Sequence, residues 1–88
     1  MRIIKFSGRE LAVMRALDFS SGSPGSELLE RTHMAASEMV EVLHGLMDAG
    51  YVETNPQAES FPAAALEKTV FEVNPGYFQD LKTAIRRS

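Results

Sequence analysis

The fold of this chain is decided by one stretch, Glu27-Leu-Leu-Glu-Arg-Thr-His-Met-Ala-Ala-Ser-Glu-Met-Val-Glu-Val-Leu-His-Gly-Leu-Met-Asp-Ala-Gly-Tyr-Val52. It predicts a short helix, a turn at His33, a longer amphipathic helix over about 36–49, a glycine stop at Gly50 and the start of a strand. At about 100° per residue, the apolar residues of the longer helix share one arc. That arc consists of Ala36, Met39, Leu43, Leu46 and Met47. The opposite arc consists of Ser37, Glu41, His44 and Asp48, with Glu38 beside it.

The bulk properties are those of one small globular domain, expected to span residues 1–88. A net charge of −3 argues against a protein that coats nucleic acid non-specifically. The chain contains no cysteine, which excludes disulfides, thiolate metal sites and cysteine nucleophiles. No apolar run approaches the roughly 20 residues that cross a bilayer. We therefore expect a cytoplasmic protein without membrane contact.

The segment before this stretch predicts another helix. Ser7 and Glu10 have the spacing of a capping box, and the helix that they open should reach about Phe19. Ile3 and Ile4 could pair as a short strand or pack on a partner subunit. A turn-rich loop follows, in which Ser23 is expected to cap a second helix running to about Thr32.

The segment after it predicts two strands and a final helix. Tyr51 to Thr54 should form the first strand, and residues 67–73 the second, with a longer connection between them. Asn74 and Pro75 are a cap signal for a C-terminal helix over about 75–87. Its basic end, with Arg86 and Arg87, suits a helix C-terminus.

The order helix, helix, helix, strand, strand, helix is that of a winged helix-turn-helix domain, mainly α with a small β-hairpin as the wing (about 51–73). The pattern of Glu27, Leu28 and Glu30, followed by Met34, Ser37, Met39, Leu43, Leu46 and residues 49–52, resembles MarR- and ArsR-type bacterial transcriptional regulators. So does the sequence Phe-Glu-Val-Asn-Pro-Gly at 71–76. The resemblance covers the chain from about Ser7 onwards and implies transcription regulation through DNA. In those families the early residues of the third helix enter the major groove, which by position would be Ala36, Ser37, Glu38, Val40 and Glu41.

The charges of this helix depart from the family pattern. Glu38 and Glu41 stand where groove-reading side chains are expected, without a neighbouring lysine or arginine. Like charges at 4 Å repel by about 1 kcal/mol in water and about 4 kcal/mol at a protein surface. Phosphate contacts would then come from Ser37 and from basic residues elsewhere. Those candidates are Arg9, Arg15, Lys68, Arg86 and Arg87.

The alternative hypothesis is a winged helix that binds a protein and does not bind DNA directly. Its surface would comprise Glu38, Val40, Glu41, Phe61 and Leu66, because apolar residues at a wing tip suit an interface. The competing interpretation is that the connection packs on its own domain or forms a short helical turn. A homodimer through the terminal segments is the other expected partner.

An enzyme is the least favoured class, because no phosphate loop and no nucleophile with a base and an orienting acid is recognisable. Glu41, His44 and Asp48 are spaced so that all three could project from one helix face toward a metal ion. Such spacing arises by chance far more often than by design. We therefore expect no catalytic residue, no cofactor and no metal.

Overall fold

A computed structural model describes residues 4–87 of the chain. In chain order its elements are α1 (Gly8–Ala16), β1 (Ser23–Pro24), α2 (Gly25–Thr32), α3 (Ala36–Asp48), β2 (Val52–Asn55), a 3₁₀-helix (Ala63–Lys68), β3 (Val70–Val73), a second 3₁₀-helix (Pro75–Tyr77) and α4 (Phe78–Arg87). The predicted mixture of helices with a small antiparallel sheet is confirmed. The predicted contribution of Ile3 lies outside the described residues, while Ile4 is half-buried against the core.

The sheet has a third strand that the sequence did not predict. Its order is β1-β3-β2, with every pairing antiparallel. Ser23 pairs with Phe71 and is fully buried. Its hydroxyl oxygen accepts a hydrogen bond from the backbone N–H of Asp18 at 3.0 Å. The prediction that Ser23 caps the second helix is therefore wrong, because this hydroxyl is used to hold the preceding turn; Pro24 occupies the cap position, with no side-chain hydrogen bond.

Helix α1 begins as predicted but ends earlier. Ser7 Oγ accepts from the Glu10 N–H, and the Glu10 carboxylate accepts from the Ser7 N–H, so the capping box is confirmed. The helix ends at Ala16, and not near Phe19, since Leu17 is already extended with ψ 130°. The Ala16 carbonyl accepts from the Arg31 guanidinium at 2.8 Å. A residue of α2 thus holds the end of α1.

The two turns around α3 follow the sequence. His33 has φ 58°, the left-handed conformation expected of the turn, and Gly50 has φ 86° just after the helix. Met39, Leu43 and Leu46 are buried as predicted. Ala36 is exposed, and its placement on the apolar arc is corrected; the first helical turn extends past the edge of the core.

The return strand begins at Val70, later than the predicted residue 67, because the preceding residues form the 3₁₀-helix. Leu66 in that helix is only 2% exposed. Its burial draws the connection onto the domain and shortens the strand. The predicted cap at Asn74 is confirmed: its side-chain oxygen accepts from the Gly76 N–H at 3.0 Å, and its amide donates to the Gly50 carbonyl at 2.7 Å.

One hydrophobic core joins the helices to the inner face of the sheet. The largest fully buried side chains are those of Phe71, Met14, Leu28, Met39, Leu43, Leu46 and Leu81. Helix α4 packs on α1, while the 3₁₀-helix of residues 63–68 packs on α2 and α3. The outer side of α3 therefore lies beside the β2–β3 connection.

Candidate functional site

The start of α3 presents a partly exposed surface to solvent. Ser37, Glu38, Val40 and Glu41 form what we call the α3 face. Ala35 at the cap has no side-chain acceptor, and the Glu38 carboxylate instead accepts from the Ala35 N–H at 3.4 Å. A carboxylate at a helix N-terminus also interacts favourably with the helix dipole. Glu38 therefore has a structural role in addition to any role at a surface.

Arg9 lies against this face. Its guanidinium is 3.4 Å from the Glu38 carboxylate and 3.5 Å from that of Glu41, linking α1 to α3. The Glu41 side chain is 74% exposed, so solvent screens the ion pair between Arg9 and Glu41. Arg9, expected as a phosphate contact, is thus engaged with two carboxylates, and the three groups together have a charge of −1.

The middle of α3 is covered by the connection. His44, predicted on the solvent-facing arc, is half-buried. Its ring lies 4.5 Å from the ring of Phe61, centroid to centroid, and its Nε2 is 3.3 Å from the Phe61 carbonyl oxygen and 3.2 Å from Ser60 Oγ. Phe61 in turn packs edge-on against Phe71 at 5.0 Å. The connection therefore partly covers His44, which lies on the polar arc of α3 one turn after the early residues predicted to enter the groove.

Two residues of the predicted partner surface belong to the core. Phe61 is 6% exposed and Leu66 is 2% exposed. A Cβ on Gly25 would lie 2.0 Å from the Leu66 carbonyl oxygen, so only glycine permits this approach of the connection to α2. The placement of Phe61 and Leu66 on an exposed interface is corrected, and the alternative in which the connection packs on its own domain is confirmed. Of that predicted surface, Glu38, Val40 and Glu41 remain at the α3 face.

The predicted phosphate contacts are divided between different parts of the fold. Ser37 is exposed on the α3 face, and Lys68 is exposed at the end of the 3₁₀-helix that packs on α2 and α3. Arg15 and Arg86 instead line a groove between α1 and α4. Arg87 is exposed but is not part of that lining. The proposed cations are therefore not all brought to the α3 face.

The groove between α1 and α4 brings together residues that the sequence did not group. Its volume is about 550 Å³, and it is lined by Met14, Arg15, Leu17, Phe19, Lys82, Ile85 and Arg86. Lys82 and Phe19 were not among the predicted site residues. A signal was present, because Lys82 and Arg86 are four residues apart and therefore lie on the same side of α4, beside the apolar residues Leu81 and Ile85. Their approach to Arg15 depends on tertiary packing.

Comparison of the chain with protein-family models, curated proteins and solved structures gave no match. Among residues 4–87, no helix combines the length and apolar character required to cross a membrane. Within the same range, no group of three or more histidine and acidic side chains is arranged to bind a metal ion. His44, one of the three residues with suitable spacing for such a site, directs Nε2 to Ser60 and the Phe61 carbonyl.

Proposed function

We propose that this chain is a winged helix-turn-helix domain that contacts a protein partner through its α3 face and does not read the DNA major groove. The fold part of the proposal is supported by the order α1, β1, α2, α3, β2, β3, α4. It is also supported by the pairing of a short first strand with the return strand of the β2–β3 hairpin. The α2–α3 pair would be the helix-turn-helix, and the β2–β3 connection the wing.

The observation that carries the functional part is the contact of His44 with Phe61. A groove-reading helix needs an uninterrupted polar face directed at base edges. Here the connection packs on His44, on the same side of α3 one turn beyond the predicted groove-reading residues, and those residues present the carboxylates of Glu38 and Glu41. Carboxylates held near DNA phosphates meet repulsion of about 1–4 kcal/mol per close pair. A partner with basic and apolar groups would instead complement Glu41 and the partly buried Val40.

DNA binding is the first measurement that tests this function. We expect that the wild-type chain does not bind random-sequence duplex DNA with an affinity that falls steeply as salt rises. Such a salt dependence is produced by phosphate contacts. Glu41→Lys should raise DNA affinity, whereas the same charge change at Glu59, on the exposed connection, tests for an effect of net charge alone. A steep salt dependence in the wild-type chain would contradict the proposal.

Site-directed crosslinking is the second measurement. Because the chain has no cysteine, Ser37→Cys introduces a single thiol on the α3 face to which a photo-crosslinker can be attached. We expect a discrete protein adduct in extracts of the native host, lost in the Ser37→Cys/Glu41→Lys double variant and retained in Ser37→Cys/Glu59→Lys. An adduct that is insensitive to Glu41→Lys would contradict the assignment of the partner to this face.

Direct DNA binding is the second candidate function, and the position of Lys68 favours it. The 3₁₀-helix that Lys68 ends packs on α2 and α3, so this cation belongs to the wing beside the helix-turn-helix. Lys68 and Ser37 would then contact phosphates while the wing approaches the minor groove. If Lys68→Ala reduces the salt slope of DNA binding by about one ion, this candidate replaces the first.

A further inference from the structure

The groove between α1 and α4 lies apart from the α3 face and differs from it in charge. Arg15, Lys82 and Arg86 all line the groove and are exposed. Among the described residues that line it, none is an aspartate or a glutamate. Three positive side chains thus border one groove of a chain whose net charge is −3. Such a local concentration of one sign attracts ligands of the opposite sign.

The nearest acidic residues in sequence are directed elsewhere. Asp18 precedes Phe19 of the lining, but its carboxylate accepts from the backbone N–H groups of Ser20 at 2.8 Å and Ser21 at 3.1 Å. Asp80 is on α4, yet at about 100° per residue it lies roughly 160° around the helix from Lys82. Neither carboxylate is therefore part of the groove lining.

The floor of the groove is apolar and well supported. Met14 and Leu17 are buried beneath it, whereas Phe19 and Ile85 are half-buried at its surface. The Phe19 ring packs edge-on against Phe78 at 5.5 Å, and the Lys82 ammonium lies 4.5 Å from the centroid of the Phe78 ring. These contacts hold an apolar strip between the basic residues. The groove therefore offers both hydrophobic and electrostatic contacts to one ligand.

We propose that this groove binds an acidic amphipathic helix of a partner protein. A helix can place apolar side chains at i, i+3, i+4 and i+7 on the strip and glutamate or aspartate side chains beside the three cations. The length of α4, ten residues or about 15 Å, corresponds to almost three turns of such a ligand. This site uses none of the residues of the α3 face.

A second copy of the chain is a poorer occupant. A two-fold symmetric contact places the same patch against itself, which here brings Arg15, Lys82 and Arg86 toward their own counterparts. The acidic α3 face of another copy would supply carboxylates, but Val40 is its only large apolar side chain. A separate acidic amphipathic helix provides both the complementary charge and the apolar area.

The test uses the full chain and a synthetic helical peptide with leucine at positions i, i+3, i+4 and i+7 and glutamate elsewhere. We expect ¹⁵N–¹H spectra to show shifts at the amides of Phe19, Ile85 and neighbouring groove residues, with binding that weakens as salt rises. A peptide in which lysine replaces each glutamate should not bind. The Lys82→Glu/Arg86→Glu variant should weaken binding about tenfold, because each lost surface charge pair changes affinity a few-fold.

Arg87→Glu is the matched control. It makes the same charge change at the end of the same helix, but outside the groove lining. We expect Arg87→Glu to weaken peptide binding much less than Arg86→Glu does. The two variants should have the same thermal stability. Equal loss with the two variants, equal binding of the lysine peptide, or no shifts at about 1 mM peptide would each overturn the proposal. So would a concentration-dependent dimer, measured by analytical ultracentrifugation, that Ile85→Asp abolishes.

Discussion

Gly25→Ala is expected to destabilise the domain although alanine is the better helix former. The N–H of Gly25 donates to the Thr69 carbonyl at 2.9 Å, at the start of α2. An added Cβ would lie 2.0 Å from the Leu66 carbonyl oxygen and 2.8 Å from its carbon, both backbone atoms. Contacts of a Cβ below 3.0 Å do not occur in folded proteins, so α2 and the 3₁₀-helix must separate by at least about 1 Å.

The loss in free energy of unfolding depends on the contacts that this separation disturbs. Leu66 is 2% exposed, and burial of a leucine side chain contributes about 1.5–3 kcal/mol. Partial loss of this burial, together with strain in the hydrogen bond to Thr69, opposes a gain in helix propensity of at most about 1 kcal/mol. We expect the free energy of unfolding to fall by about 2–3 kcal/mol, within the range for overpacked sites.

Urea denaturation followed by far-ultraviolet circular dichroism measures this change, provided that the transition remains two-state. Gly45→Ala is the control, because Gly45 lies within α3 and a Cβ there meets no atom within 4 Å. That variant should be more stable by about 0.5–1 kcal/mol, the ordinary advantage of alanine in a helix. If Gly25→Ala were neutral or stabilising like Gly45→Ala, the close packing of the connection on α2 would be refuted.

Three further predictions concern other parts of the chain. Phe61→Ala should lower the free energy of unfolding by about 3–4 kcal/mol in urea denaturation, as expected for a buried phenylalanine; a loss below about 1 kcal/mol would contradict its burial. His33→Gly should raise the free energy of unfolding by about 0.5–1 kcal/mol, because φ 58° is strained for a residue with a Cβ, and a loss of stability would contradict this. Hydrogen bonds from the N–H groups of Ser21 and Ser20 lower the pKa of Asp18. The contribution of Asp18 to stability is therefore present above the unfolded-state pKa, about 3.9, and is lost as pH falls through the lower folded-state pKa. Asp18→Asn should therefore reduce the loss of stability at acid pH in a plot of unfolding free energy against pH. An unchanged acid limb would refute the role of Asp18 in acid unfolding.

Features set by neighbouring residues were predictable from the sequence. The capping box at Ser7 and Glu10 and the cap at Asn74 depend on side chains that reach backbone atoms within three residues. The left-handed turn at His33 and the stop at Gly50 follow from the end of an amphipathic pattern. The coarse class, helices with a small antiparallel sheet, followed from these local signals.

Features set by distant contacts were not predictable. The end of α1 depends on Arg31 and Ser23, and strand β1 exists only because β3 is available to pair with it. At the candidate site, Arg9 meets Glu38 and Glu41 across 29 and 32 residues of chain. From the sequence alone, Arg9 is equally suited to contact a phosphate or to form an internal ion pair. Only the packing of α1 on α3 distinguishes these two roles.

The strand order has a consequence for how this domain meets other chains. β1 and β2 are the two edges of the sheet, and β1 consists of only two residues, one of which is proline and lacks a backbone N–H. An edge this short, with one donor missing, is a poor template for the strand of another molecule, and β2 offers only four residues. Growth of the sheet from one molecule to the next, the usual route to amyloid-like assembly, is therefore disfavoured at both edges.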